Sequence, residues 1–483
     1  MFVDGKHVET SRSGRTFDSV DPSTQQAWAR VPDADASDVD LAVAAANQAL
    51  VGPWGETTGV ERARVLRSIA EKILQNLDYL AELEARDSGR LLRDAKTQVR
   101  LVVDWFYYFA GLADKFTGQT IPTGHKNMMV YTEAVPVGTV GIIVPWNAPL
   151  LLLAWKLAPA LAVGCTVVVK PSDYTPATAL ALGPILQEAG VPDGAFNVVT
   201  GFGPAVGEAI TAHPRINKIA FTGSTATGML VGKAAMSNMT RVTLELGGKS
   251  AQLVFEDADI ESALNGVMNG IFVASGQTCM AGSRLLLHES IHDKFVAELV
   301  KRAEAIRIGP PTDPSTQIGP IVNAKQHTSI LEKIATAQRQ GATLVCGGGV
   351  PSSVTGWYVE PTIFTDVEPD MEIAQEEVFG PVMAVMKFST EAEAIELANN
   401  TRFGLAAGVW SQSVHRAHRV SRQLRAGTVW VNTYRAFSPA APFGGFGHSG
   451  LGRENGLEAM RSFSETRTVW IEMEGETRDP FSV

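Results

Sequence analysis

The chain has 483 residues, a length that accommodates two large domains and a substantial core. Lys and Arg number 41 against 51 Asp and Glu, so the formal charge is −10. That balance disfavours a nucleic-acid binder, which presents a basic face, and 45% hydrophobic with 19% charged residues argues against a disordered chain.

Residues 1–35 read as short strands and turns, FVDGK and then TFDSVDPST. The leading MFVDGKHVETSRSGR has no apolar h-region, so no secretory leader is expected. A helical block follows over 39–50, 59–76, 77–86 and 93–115, where apolar residues recur at three- and four-residue spacing. Asp38 is positioned to cap the first of these helices, and the aromatic run 105–109 reads as core.

From Val135 the texture changes. VGTVGIIVP, CTVVVKPS, AFNVVTG, KIAFTGS and VTLELGG are short β-branched runs, separated by helical patterns at 151–162, 177–188, 205–212 and 226–236. This alternation predicts βαβ units around a buried parallel sheet, the architecture on which dinucleotides bind at the C-terminal ends of strands. No uncharged apolar run approaches the roughly 18 residues of a membrane span. The best, 140–153, is interrupted by Pro145, Asn147 and Pro149, so no membrane association is expected. A second alternating region starts near Ser250 with AQLVF, SRLLLH, ATLVCGG, VMAVMKF and GTVWVN, and predicts a second α/β domain. The final TRTVWIEME is a lone apolar strand; a sheet continued across a subunit interface would resolve its open edge.

A literal G-x-G-x-x-G at Gly445, Gly447 and Gly450 is rejected as a dinucleotide loop, because a proline-rich segment rather than a strand precedes it. Gly201–Gly203–Gly207 misses the spacing by one residue. In KIAFTGSTATG a strand runs through Gly223 and Ser224 into a helix, which suits an anionic phosphate or a plain strand-to-helix turn equally well. Of the three cysteines, Cys165 and Cys346 sit in apolar runs and read as structural. Cys279, in ASGQTCMAGSR, is open to a reactive or a structural reading. None is spaced CxxC, so no metal site is expected, and the sparse count points to a reducing compartment, the cytoplasm.

PWN (145–147), KPS (170–172), FTGST (221–225), ELGGK (245–249), GQTC (276–279), EEVFGPV (376–382) and PFGG (442–445) occur in one order along the chain. In that order, and over essentially its whole length, the sequence resembles the NAD(P)-dependent aldehyde dehydrogenase superfamily. The resemblance implies an α/β fold: two doubly wound parallel-sheet domains, cofactor and catalytic, with a small bridging β element for oligomerisation. The cofactor domain maps to 1–118 and 137–247, the catalytic domain to 248–448, and the bridging element to 119–136 and 449–483. Cys279 matches the nucleophile, Asn147 the oxyanion amide, Glu245 the base that activates water, and Glu465 a proton relay. Lys170, with Ser172 of the same motif, matches the adenine-ribose end of NAD. Gly223 and Ser224 match the pyrophosphate end, and Glu377 with Phe379 the nicotinamide-ribose end, with Trp146 and Lys156 in the same shell. Asp173 stands where NAD-preferring members usually carry Glu; its carboxylate accepts from a ribose 2′-OH and repels a 2′-phosphate, which predicts NAD over NADP.

The resemblance puts the substrate tunnel beside Leu101, Trp105, Ala148, Leu151, Leu152, Trp155, Thr278, Met280, Phe437 and Phe443, a mostly apolar set that suits medium-chain, terpenoid or aromatic aldehydes. Arg435 falls near its mouth, either as an anchor for a substrate carboxylate or as a surface or interface arginine. The expected partners are a small-molecule aldehyde and copies of the same chain, as a homodimer or homotetramer. Two alternatives stand beside this reading. One is a CoA-acylating relative, disfavoured by Glu245. The other is a catalytically silent binding protein, disfavoured by the joint presence of Cys279, Glu245, Asn147 and Glu377.

Overall fold

The computed structural model describes residues 1–475 and 479–481; the rest of the segment 449–483 assigned to the bridging element lies outside the described residues. Its architecture is two doubly wound α/β sheets and two separate ribbons, one of them Thr16–Asp21 with Gln26–Pro32. The first sheet runs in the order Gly450–Leu451, Arg241–Glu245, Lys218–Thr222, Thr139–Ile143, Thr166–Lys170, Phe196–Val198, Phe2–Val3, Lys6–His7. Its five central strands are parallel, and the short outer ones antiparallel. Strands such as Thr166–Lys170 are buried at every residue, as expected where helices cover both faces of a parallel sheet. Strand order reverses around Thr139–Ile143, which lies between Lys218–Thr222 and Thr166–Lys170. The strands on either side of this reversal leave a crevice at their C-terminal ends, where ligands bind in open α/β sheets.

The second sheet runs Thr343–Cys346, Thr362–Thr365, Val382–Phe388, Arg284–His288, Ala251–Val254, Ala406–Trp410, Thr428–Val431. Only its first pair is antiparallel. Thr362–Thr365 and Ala406–Trp410 were not foreseen from sequence. The latter is rich in Ala and Gly because its neighbours crowd it: a methyl on Gly408 would lie 2.8 Å from the Tyr434 ring. The final strand, Ser464–Glu472, is not alone. It pairs antiparallel with Met128–Pro136 over nine residue pairs, forming a two-stranded ribbon apart from both sheets.

The helix Pro149–Val163 has all fifteen residues buried. Proline at its first position needs no hydrogen bond there, and Gly164, at φ +105°, ends it in the left-handed region. The first helix, Ala36–Val51, is capped by Asp35 rather than Asp38. Asp38 sits at its third position and accepts from the Asp35 N–H at 3.1 Å, closing a capping box. The pattern at 205–212 begins a turn earlier, as a π-helical turn Gly203–Gly207 leading into Glu208–Thr211. No helix among the described residues is long and apolar enough to cross a membrane.

The buried helix Pro149–Val163 carries both Lys156 and the approach to Asn147, so its packing fixes the site below. Leu161 on it is fully buried. Leu161→Ala should lower unfolding free energy by about 2–5 kcal/mol, measured by denaturant titration. A loss below about 1 kcal/mol would mean that this helix is not tightly packed.

Candidate active site

Cys279 lies in the loop between the turn Val273–Gly276 and the strand Arg284–His288. Ala274, Ser275 and Gly276 take φ values of +58°, +55° and +69°, three successive residues in the left-handed region. Glycine is required at the third. A methyl on Gly276 would come within 2.1 Å of the Gly380 carbonyl oxygen. This turn delivers the half-buried Cys279 to the meeting point of two cavities. It lines both, together with Asn147, Leu152 and Thr222. Burial, with the nearby carboxyls of Glu377 and Glu245, pushes the Cys279 thiol up to about 12. Cys165 and Cys346 are buried elsewhere and bond backbone carbonyls.

Asn147 follows strand Thr139–Ile143 at the sheet's reversal point. One amide proton goes to the Gln277 carbonyl at 3.0 Å, its own carbonyl accepts from Arg90, and the other amide proton has no partner among the described residues. The Cys279 backbone N–H is likewise unpartnered among them. Asn147 and Cys279 thus each keep an unpartnered donor in the loops that line both cavities.

Glu245 ends strand Arg241–Glu245 and lines the same cavity as Cys279. It is 4% exposed, and neither carboxyl oxygen has a hydrogen-bond partner among the described residues. Desolvation first, then repulsion from Glu454, raises its pKa well above the usual carboxylate range, against the pull of Lys156 and Arg453. Close approach of the glycine-rich loop seals it. Gly444 has φ +153°, and a methyl there would fall 2.7 Å from Glu245 Oε1. The expected proton relay, Glu465, is not here. It stands exposed on the ribbon strand, ion-paired with Arg241, and lines neither cavity. The carboxyl near Glu245 is instead Glu454, which is buried, lines the Cys279 cavity and is ion-paired with Lys156. Lys156, expected in the cofactor shell, is fully buried and also donates to the Thr222 hydroxyl at 2.6 Å.

The larger cavity, about 860 Å³, opens at the C-terminal ends of the first sheet. Trp146, Gly223, Ser224, Glu377 and Phe379 line it. Ser224 caps the helix Thr225–Met236, accepting from the Thr227 N–H at 3.2 Å, so a helix N-terminus faces this space. Trp146 and Phe379 meet edge to face, centroids 5.1 Å apart. Glu377, raised to about 7 by burial, accepts from the Gly248 N–H at 3.1 Å. Lys170, Ser172 and Asp173 line neither cavity. They lie at the end of the adjoining strand, where the Lys170 ammonium donates to the Pro171 carbonyl at 3.0 Å and the Ser172 hydroxyl accepts from the Tyr174 N–H.

The second cavity, about 580 Å³, takes Ala148, Leu151, Leu152, Trp155, Thr278, Met280, Arg435, Phe437 and Phe443. Leu101 and Trp105 do not reach it. Trp105 lies behind Trp155, stacked at 5.5 Å and 7°, with its indole N–H bonded to Asn455 at 2.8 Å. Leu101 packs half-buried on the core. Sequence reasoning missed Arg90, Gln98 and Glu454. The signal for Arg90 is an arginine directly after Ser88–Gly89, where the helix Leu77–Ser88 ends; the signal for Glu454 is a carboxylate closing the same glycine-rich loop as PFGG.

The aldehyde dehydrogenase family model matches residues 8–469. The chain belongs to the aldehyde dehydrogenase family. Its relatives include the (Z)-2-((N-methylformamido)methylene)-5-hydroxybutyrolactone dehydrogenase of Acinetobacter baylyi, 44% identical over 100% of this chain and 98% of that protein. An NAD+ complex of aldehyde dehydrogenase from Bacillus cereus superposes with TM-score 0.96 at 43% identity, covering 98% of this chain and 96% of that one. Betaine aldehyde dehydrogenase from Staphylococcus aureus, solved with NAD+, superposes with TM-score 0.98 at 38% identity, covering 100% and 96%. As an aldehyde dehydrogenase, the chain is an oxidoreductase acting on the aldehyde group.

The raised thiol of this aldehyde dehydrogenase has a direct readout. The protein without ligands should alkylate with iodoacetamide at Cys279 about tenfold faster per pH unit between 7 and 9, because only the thiolate reacts. Peptide mapping should leave Cys165 and Cys346 unlabelled. A rate that is flat across this range would contradict the raised value.

Proposed function

We propose that the chain oxidises an aldehyde to its carboxylic acid with NAD, through a thioester on Cys279 that Glu245-activated water hydrolyses. The observation that carries this is the position of Cys279, shared by two cavities and flanked by Asn147 and Glu245. Residues of the larger cavity fit a dinucleotide: a helix N-terminus at Ser224 for phosphate, the Trp146 and Phe379 faces for a planar ring, and the Glu377 carboxyl for ribose hydroxyls. The NAD+ complexes of the two solved relatives support the same cofactor. Asp173 favours NAD over NADP by charge. When bound, NAD supplies the hydride acceptor.

The chain's own residues perform the remaining steps. Cys279 gives its proton to Glu245, whose carboxylate desolvation makes more basic than it would be in water. The sulfur bonds to the aldehyde carbon, and the resulting alkoxide is held by the Asn147 amide and the Cys279 N–H. Collapse of the alkoxide breaks the C–H bond and leaves a thioester. Glu245 first passes the thiol proton on toward Glu454 and solvent, and as a carboxylate again it takes a proton from water, whose oxygen attacks the thioester carbon while the C–S bond breaks and the Cys279 thiolate leaves. Glu454, with Lys156, stands in the same cavity to pass protons onward. This route needs no CoA.

We further infer three domains at the bounds expected from sequence: 1–118 with 137–247, 248–448, and 119–136 with 449–483. The ribbon Met128–Pro136 with Ser464–Glu472 supports a dimer or dimer of dimers formed through its open edge, and the cysteine usage supports a cytoplasmic setting.

An aldehyde panel with NAD, read as NADH formation, tests the mechanism. Cys279→Ala should abolish turnover. Glu245→Gln should slow both NADH formation in the first turnover and steady-state turnover, the latter by about 10²-fold or more, since it removes the base for the thiol and for the water. Because a raised carboxyl is protonated below its pKa, the native rate should climb from acidic toward alkaline pH, and that limb should flatten in Glu245→Gln. Full-speed oxidation by Cys279→Ala would end the proposal.

A further inference from the structure

We propose, building on the catalytic reading above, that the natural substrate is an aldehyde carrying a carboxylate at its far end, a semialdehyde acid, and that Arg435 with Arg90 binds that carboxylate. Both guanidiniums line the cavity that holds Cys279. Arg435 is not the surface arginine its sequence context allowed. It sits in the left-handed region at φ +65°, half-buried, and its Nη1 donates to the Asn269 and Val273 carbonyls, both at 3.2 Å. No carboxylate among the described residues lies within ion-pair distance of it. Burial, together with the like charge of Arg90, lowers its pKa to about 10. A half-buried guanidinium held by carbonyls and lacking a counterion is unfavourable unless an anion completes it.

Arg90 reaches the same space from the end of helix Leu77–Ser88. Its side chain is 9% exposed; one nitrogen holds the Asn147 carbonyl, and Glu84 stands 4.0 Å away. Gln98, with its amide turned to satisfy both, accepts from Arg90 and donates to Glu84. Glu84 is a weak counterion, because full burial raises it to about 7. The other charges near this end are Asp94, within electrostatic range of both arginines, and, toward the sulfur, Glu245 and the Glu454–Lys156 pair. Most of the remaining lining of that cavity is apolar: Leu151, Leu152, Trp155, Phe437 and Phe443. The cavity therefore matches a molecule with an electrophilic carbonyl at one end, an apolar spacer, and an anion at the other. A planar carboxylate suits the fork geometry of guanidinium.

The test compares hexanal with 6-oxohexanoate, equal in chain length and differing only in the terminal carboxylate. The unmodified protein should use 6-oxohexanoate with kcat/KM at least tenfold above hexanal. Arg435→Gln should cut that ratio tenfold or more, mainly through KM, and Arg435→Lys should restore part of it. Independently of any variant, adipate should inhibit hexanal oxidation at a concentration at least tenfold below hexanoate. Equal use of the two aldehydes, equal inhibition by the two acids, or an unchanged ratio in Arg435→Gln would each overturn the proposal. If neither aldehyde yields NADH, the catalytic reading fails instead. Protection of Cys279 from iodoacetamide by adipate but not hexanoate then still decides the carboxylate site, and equal protection rejects it.

Discussion

Desolvation of one carboxyl group governs the chemistry at the centre of this molecule. In water Glu245 would be an ordinary carboxylate and a feeble base. Placed at the end of a parallel strand, stripped of donors and set near a second carboxyl, it holds its proton far more firmly. Such a group is costly, and the surrounding structure limits the cost. Lys156 and Arg453 offset part of the repulsion, while the Lys156–Glu454 pair keeps a second buried charge neutralised. An isolated buried ion costs several kcal/mol, so this pairing is what permits the dry site. The glycine-rich loop completes it, and Gly444 approaches where no side chain fits.

Backbone strain also reaches this place. Of ten non-glycine residues with left-handed φ among the described residues, five, Ala274, Ser275, Phe379, Arg435 and Asn455, lie within or beside the two cavities. Each such residue costs about 1–3 kcal/mol and persists only where neighbours over-determine it. Around Cys279 those neighbours are identifiable. The Ser275 hydroxyl donates to the Gly319 carbonyl at 2.8 Å, and the Gln277 side chain is held at both ends by Pro320 and Val322. The Gln277 carbonyl then takes the Asn147 amide, so one clamped residue links the sulfur-bearing loop of the second sheet to Asn147 of the first.

Much of this was legible in the sequence because its signals are local. Buried parallel strands are runs of β-branched residues, and TVVVK and KIAFT declare themselves. Cys279, Glu245 and Asn147 each stand in a motif whose order along the chain is informative. What escaped depends on contacts across the fold. The strand Ala406–Trp410 carries small residues because Tyr434 and Gln252 fill the space around it, which no local pattern reveals. The choice between Glu465 and Glu454 turns on which carboxylate the final segment brings inward. Strand Gly450–Leu451 adds to the first sheet beside Glu245, so the residues just after it turn into the cavity, while the ribbon strand carrying Glu465 runs along the exterior. Arg90 was missed for a similar reason, since a charge at a helix end normally signals solvent.

The charges around the sulfur are not scattered; they divide the site. Glu377 and Glu245 bear on Cys279 from the cofactor side and the base side, and both raise its thiol. Arg90 and Arg435 lie in the substrate cavity, each with its pKa lowered chiefly by burial rather than held by a strong acid partner. A substrate with one anionic end entering this field has a single favourable orientation. Reversed, its carboxylate would leave Arg435 without a counterion. Orientation is thus settled by electrostatics before contact, leaving the apolar walls to fix distance.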